Sequence, residues 1–232
     1  MSASTHPVFD LAPAPGQVTL STGIAPTPYL VTDGHGLVVL GTCDAAALKP
    51  AFDAQQVHPV LTESGRGILI LFICDFAQAS HGPHLEFHVT ALAAPTPGTT
   101  LPDAPEAALA ALATQHDWGV LSLHLFNDTA NVVAYNSEYL GLQAQLCSGA
   151  VDVSAAHVGF SFAQTDGAEI ASGNMRLNKR SDAGAMWQVL RRLGGQGLWD
   201  ARRKRPARAH VINRISDVVP RNGRALTLTA PD

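Results

Sequence analysis

The densest run of proton-handling side chains is Ser80-His81-Gly82-Pro83-His84-Leu85-Glu86-Phe87-His88. Imidazole titrates near neutrality, and a carboxyl drawn out of water is pushed up toward the same range, so a histidine and a glutamate held together can move a proton. The spacing 84, 86, 88 matches the two-residue period of a strand. On a strand, His84, Glu86 and His88 share one face, and Leu85, Phe87 and Val89 share the other. His124, on a second β-type run, could join the first face.

Two chemistries suit this set. In the first, Glu86 is a general acid and base assisted by His84 and His88. Tyr135, Glu138, Gln143 and Gln145 then polarise a carbonyl or hold a carboxylate, and an enolate is stabilised by hydrogen bonds. That chemistry covers enolisation, addition or loss of water, cyclisation and C–C cleavage, and it needs no cofactor. In the second, His84, Glu86 and His88, with His124, bind a divalent metal such as zinc, iron or manganese, which polarises the substrate. The spacing matches no recognised metal motif. A non-catalytic reading stays open beside both: alternating histidines also occur as hydrogen-bonded side chains at a barrel mouth or surface, or in a protein that only binds a small molecule.

The elements that must position these residues are mostly short strands. Gly36 to Gly41, Ile68 to Phe76, His84 to Ala93, Val120 to Phe126 and Asn131 to Tyr135 are apolar or alternating and rich in β-formers. Val158 to Gln164 and Glu169 to Leu177 flank Thr165-Asp166-Gly167, and Asp-Gly between alternating runs marks a hairpin. Further strands are expected at His210 to Ile215 and Ala225 to Thr229. Helices are fewer: Asp44 to Phe52 behind a good N-cap, Pro105 to His116, and Ala185 to Leu193 before Gly194-Gly195. Many strands with few helices predict a mainly β (α+β) antiparallel barrel or sandwich with peripheral helices. Residues 1–28 read as a Pro-, Gly-, Ser- and Thr-rich arm over a surface, and 29–232 as one domain.

The chain has 232 residues, 46% hydrophobic and 15% charged, with a formal net charge of −4. It is long enough for a sizeable core, and nothing in its charge suggests nucleic-acid binding. Arg202-Arg203-Lys204-Arg205 lacks interleaved aromatics and reads as a solvated segment. Cys43, Cys74 and Cys147 show neither a disulfide pattern nor zinc spacing, and Cys74 and Cys147 sit in apolar runs, as small buried side chains do. No apolar run reaches membrane-spanning length, and the N-terminus lacks the pattern of a signal peptide. The expectation is a soluble cytoplasmic protein.

Four stretches, in order, resemble the acetoacetate decarboxylase family. Gly41 to Ala51 is similar to its strand and T-D-x-x-A-L helix. Pro83-His84-Leu85-Glu86 is similar to its Y-x-E element. Leu125-Phe126-Asn127-Asp128 through Glu138 resembles its Y-L-D…G-R-E stretch. His210 to Leu228 resembles its closing segment with L-K-x-I-P and D-G. The resemblance implies a β-barrel or cone, a homo-oligomer, and Glu86, with the two histidines, facing a cavity. In that family a desolvated lysine beside a second lysine attacks a ketone, and the iminium accepts the electrons of decarboxylation. Ala144 and Gln145 stand at the lysine positions, Ser137 at the arginine of G-R-E, and Asp33 or its neighbours at a cavity arginine. The lysines of the chain are Lys49, Lys179 and Lys204, and Lys179 reads as a solvated loop residue. The resemblance therefore implies a lysine-independent enzyme acting on a small to medium carbonyl compound.

Overall fold

The computed structural model describes residues 16–176 and 226–229, except 105, 106, 109, 110, 112–114, 116, 117, 155 and 156. The strands are β1 Gly16–Leu20, β2 Gly23–Thr27, β3 Val31–Cys43, β4 His58–Pro59, β5 Leu61–Thr62, β6 Gly67–Ala79, β7 His84–Ala94, β8 Thr100–Leu101, β9 Gly119–Asn127, β10 Ala144–Val153, β11 His157–Gln164, β12 Glu169–Arg176 and β13 Leu226–Thr229. Among the described residues, helix α1 spans Ala45–Gln55, and helix α2, Ala130–Ala134, continues into a π-helical turn at Tyr135–Tyr139.

Strands β1 and β2 form a hairpin, and the other eleven join one sheet in the order β13-β12-β11-β10-β9-β7-β6-β5-β8, with β3 also on β6 and β4 also on β7. The path does not close on itself among the described residues, so the sheet is mainly β without barrel closure. No helix among them is long and apolar enough to cross a membrane.

β10 divides the sheet into two layers. Its first residues pair in parallel with β9 (Ala144 with Leu125, Leu146 with Asn127), and from Cys147 onward it pairs antiparallel with β11. Leu71, Ile73, Phe87, Val89 and Phe126 of one layer then pack on Cys147, Phe160, Phe162 and Ala171 of the other. Gly149 permits close approach here: a Cβ on it would lie 2.7 Å from the Phe162 ring. The Thr165-Asp166-Gly167 turn joins β11 to β12 as expected, with Gly167 at φ +88°.

Helix α1 begins where the sequence predicts and runs three residues further. The Asp44 carboxylate accepts from the Ala46 amide at 3.0 Å, and Leu48 and Phe52, one turn apart, bury against Ala91, Ala93 and Leu121. The segment at 131–135, expected as a strand, is helical instead. Its β-branched valines are overruled by burial of Val132, Tyr135 and Asn136, a three-to-four-residue spacing that only a helix brings to one face. Residues 16–27, within the expected arm, form the β1–β2 hairpin and lie on this helical segment through Leu20, Ala25, Ala134 and Tyr135. The expected helix at 105–116 is only partly described. Those at 185–193 and the strand at 210–215 lie outside the described residues, as do the basic run and Lys179.

Candidate active site

Strand β7 places His84, Glu86 and His88 as the sequence predicts. They share a face, and Phe87 and Val89 enter the interlayer core on the other. Register sets their neighbours. On β6, Phe76, Cys74 and Phe72 stand opposite His84, Glu86 and His88. On β9, Asn127 stands opposite Glu86, and Leu125 opposite His88.

Glu86 is the centre of the polar cluster. Its Oε2 accepts from Asn127 Nδ2 at 3.1 Å, and the Asn127 carbonyl accepts from Asn136 Nδ2 at 3.0 Å. Asn127 and Asn136 are both buried, so this chain of amides is fixed in direction. Burial holds the Glu86 carboxyl above its ordinary value, against the opposing pull of Asn127 and His84. Burial, and then the same carboxylate, push the neighbouring Cys74 thiol up to about 12, so the thiol is neutral.

His84 is oriented from both sides. Its Nδ1 lies 2.8 Å from the Gly82 carbonyl, which can only accept, so Nδ1 carries a proton. In the neutral ring Nε2 is then the bare nitrogen, and it takes the hydroxyl hydrogen of Tyr29. Tyr29 is anchored by its chain neighbour: Leu30 N donates to Ser80 Oγ at 3.0 Å, and Ser80 N donates to Leu30 O at 2.8 Å. Burial, followed by Glu86, raises the Tyr29 phenol well above its usual range.

The remaining predicted residues divide. Tyr135 joins the cluster, its ring centroid 5.9 Å from Tyr29. His88 is on the right face but bonds Ser122 Oγ at 2.7 Å, and burial pushes it down to about 4, so it is a neutral packed ring. His124 stands opposite Val89 on the other face, and does not join. Glu138 is exposed and accepts from the backbone and hydroxyl of Ser21 in the β1–β2 turn, which holds its carboxyl below the usual range. It braces the hairpin. Gln145 is exposed and shares a register position with Phe126, on the core side of β9. Gln143 is half-buried in the turn before β10. Ala144 stands opposite Leu125, on the Glu86 side of the sheet, with Ser137 Oγ at 3.5 Å from its carbonyl. Asp33 is exposed at a register irregularity of β3.

Among the described residues no three His, Cys, Asp or Glu side chains are grouped to hold an ion. An open pocket of about 290 Å³ elsewhere, lined by Leu40, Ile68, Arg66 and Asp103, contains none of the predicted residues. Its charges are tied to Thr42 and Ser64.

Sequence reasoning missed Tyr29, Cys74, Asn127 and Asn136. Cys74 and Asn127 could have been found from β6–β7–β9 register, since each pairs with Glu86. Tyr29 and Asn136 carry no such signal, because they arrive from other elements.

No protein-family model matches the chain, and no curated protein matches it. Among solved structures it is similar to acetoacetate decarboxylase from Legionella pneumophila, with a TM-score of 0.53 and 14% identity over 82% of this chain and 67% of that one. A second structure, from structural studies of acetoacetate decarboxylase, gives a TM-score of 0.51 and 12% identity over 70% of this chain and 57% of the other. The chain thus spans about two thirds or less of the proteins it matches, and what it shares with them is an acetoacetate-decarboxylase-like fold.

Proposed function

We propose that this chain is a lysine-independent enzyme of the lyase or isomerase type, acting on a small to medium carbonyl compound by proton transfer through Glu86. One observation carries the reading: a carboxyl on a sheet face, lifted by burial and held on one oxygen by a fixed asparagine pair. A carboxyl lifted by burial holds its proton closer to neutrality, where it can both accept and return one. Glu86 takes the α-proton of the carbonyl compound, the C–H electrons move toward oxygen, and the proton is returned to carbon or to a leaving group. The His84–Tyr29 pair fixes the wall beside the carboxyl. Ala144 at the family's lysine position supports a route without an iminium. The fold likeness to acetoacetate decarboxylase structures supports a lyase-type ancestry, and the side chains above support the chemistry.

The test is exchange of α-protons in deuterated water, followed by proton NMR, over acetone, acetophenone and acetoacetate. The wild-type chain exchanges at least one of them, and Glu86→Gln slows it by about 10²–10⁴-fold. Equal exchange by the variant overturns the reading.

A further inference from the structure

The turn between β6 and β7 holds a side chain that the mechanism above does not use. His81 is 8% exposed, and neither ring nitrogen has a hydrogen-bond partner among the described residues. Its plane is fixed by two rings: Tyr29 stacks on it at 5.1 Å and 18°, and Tyr135 lies at 4.2 Å and 49°. Neither phenol bonds it: the Tyr29 hydroxyl donates to His84, and the Tyr135 oxygen accepts from the Tyr29 backbone. The turn itself is set by Gly82, which donates to the Ala79 carbonyl at 3.0 Å with φ +87°. A buried polar group without a partner costs as much as a broken hydrogen bond, and such groups are retained where a ligand completes them.

Burial, and then His84, hold the His81 imidazole below its ordinary value, so the ring is neutral, with one N–H and one bare nitrogen. A neutral imidazole is a donor suited to a carbonyl oxygen on which negative charge develops, because its N–H is desolvated and already oriented. Tyr29 links it to the proton-transfer group: the ring that stacks on His81 also senses the Glu86 charge. The surrounding wall is aromatic, with Phe76 packed on both Tyr29 and His84.

We infer that His81 donates the hydrogen bond that receives the substrate oxygen, and that the substrate is a flat, enolisable ketone, conjugated or aryl-substituted, packed against the half-buried Tyr29. This rests on the acid–base reading of Glu86. As Glu86 takes the α-proton, the C–H pair becomes the C=C bond of the enolate, the carbonyl π pair moves to oxygen, and the His81 N–H meets that charge.

The experiment uses the full chain with ¹⁵N-labelled histidine and benzoylacetone as a flat enol probe. Saturating benzoylacetone moves the His81 ring nitrogens to hydrogen-bonded shifts. His81→Phe weakens binding by about tenfold or more, and His81→Gln, which keeps a donor, restores most of it. Unmoved nitrogens, or equal binding by a folded His81→Phe, overturn the inference. Acetophenone exchange separates the two claims. Probe binding through His81 with no exchange by the wild-type chain keeps this inference and removes the Glu86 role. Exchange that survives His81→Phe with unchanged KM does the reverse.

Discussion

At the scale of single residues, Asn127 decides how strongly Glu86 holds its proton. Burial raises the carboxyl, and the Asn127 amide works against it by stabilising the charged form. Removing the amide leaves burial less opposed. Asn127→Leu is therefore expected to raise the Glu86 pKa further, and the pH–rate profile for α-proton exchange moves its rising limb to higher pH. Asn127 is also fully buried, and the variant strands the Asn136 amide that it now accepts from. A stability loss of about 1–3 kcal/mol in urea should accompany the shift. A variant that loses stability with no movement of the limb would show Asn127 to be structural only.

At the scale of elements, what was legible in the sequence is what local chemistry encodes. Strand β7 was readable because its two faces differ from His84 to Val89, and the β11–β12 hairpin because Asp-Gly permits few other turns. Helix α1 was readable from its cap, even though Pro50 interrupts its interior hydrogen bonding. The site was legible only along β7. Glu86 and His84 lie on one strand, but Tyr29, Cys74, Asn127 and Asn136 reach them from four other segments, and strand periodicity says nothing about which segments meet. His124 shows the same limit: the register irregularity of β7 and β9 at Val89/Thr90 accompanies a placement that alternation alone did not reveal. Segment 131–135 failed for a related reason, since burial of one side overrode the β preference of its valines. For α1 the two contributions separate cleanly. Asp44→Ala removes the cap and is expected to cost about 1 kcal/mol, whereas Phe52→Ala empties a 1%-exposed site against β7 and β9 and costs about 3–5 kcal/mol. Equilibrium urea unfolding of both variants checks the ranking, and equal losses would mean that the helix is not held by its buried face.

At the scale of the molecule, two sheet layers share one apolar core, and the polar cluster sits on the far side of the first layer, so the site's buried ionisable groups weigh on global stability. His88, His81 and His124 are all held below their ordinary value, each chiefly by burial. Each binds a proton more weakly folded than unfolded. Acid therefore favours the unfolded chain, and the stability these rings leave intact above 6.5 is lost as pH falls, for His88 down to about 4. Glu86 has the opposite sign. Its carboxyl is held up, so the unfolded chain ionises first as pH rises past 4.5, and the cost this imposes is relieved as pH falls again. The histidine contribution is a stability that falls from pH 6.5 to 4, with His88 alone accounting for about 3 kcal/mol, and Glu86 opposes it. Urea unfolding across that range reads the slope directly. His88→Gln cannot titrate but can still meet Ser122, so it should flatten the slope by about that amount while changing stability little at pH 7. An unchanged slope in His88→Gln would mean that His88 ionises as readily in the folded chain as in the unfolded one, and that the packing around β7 admits water to it.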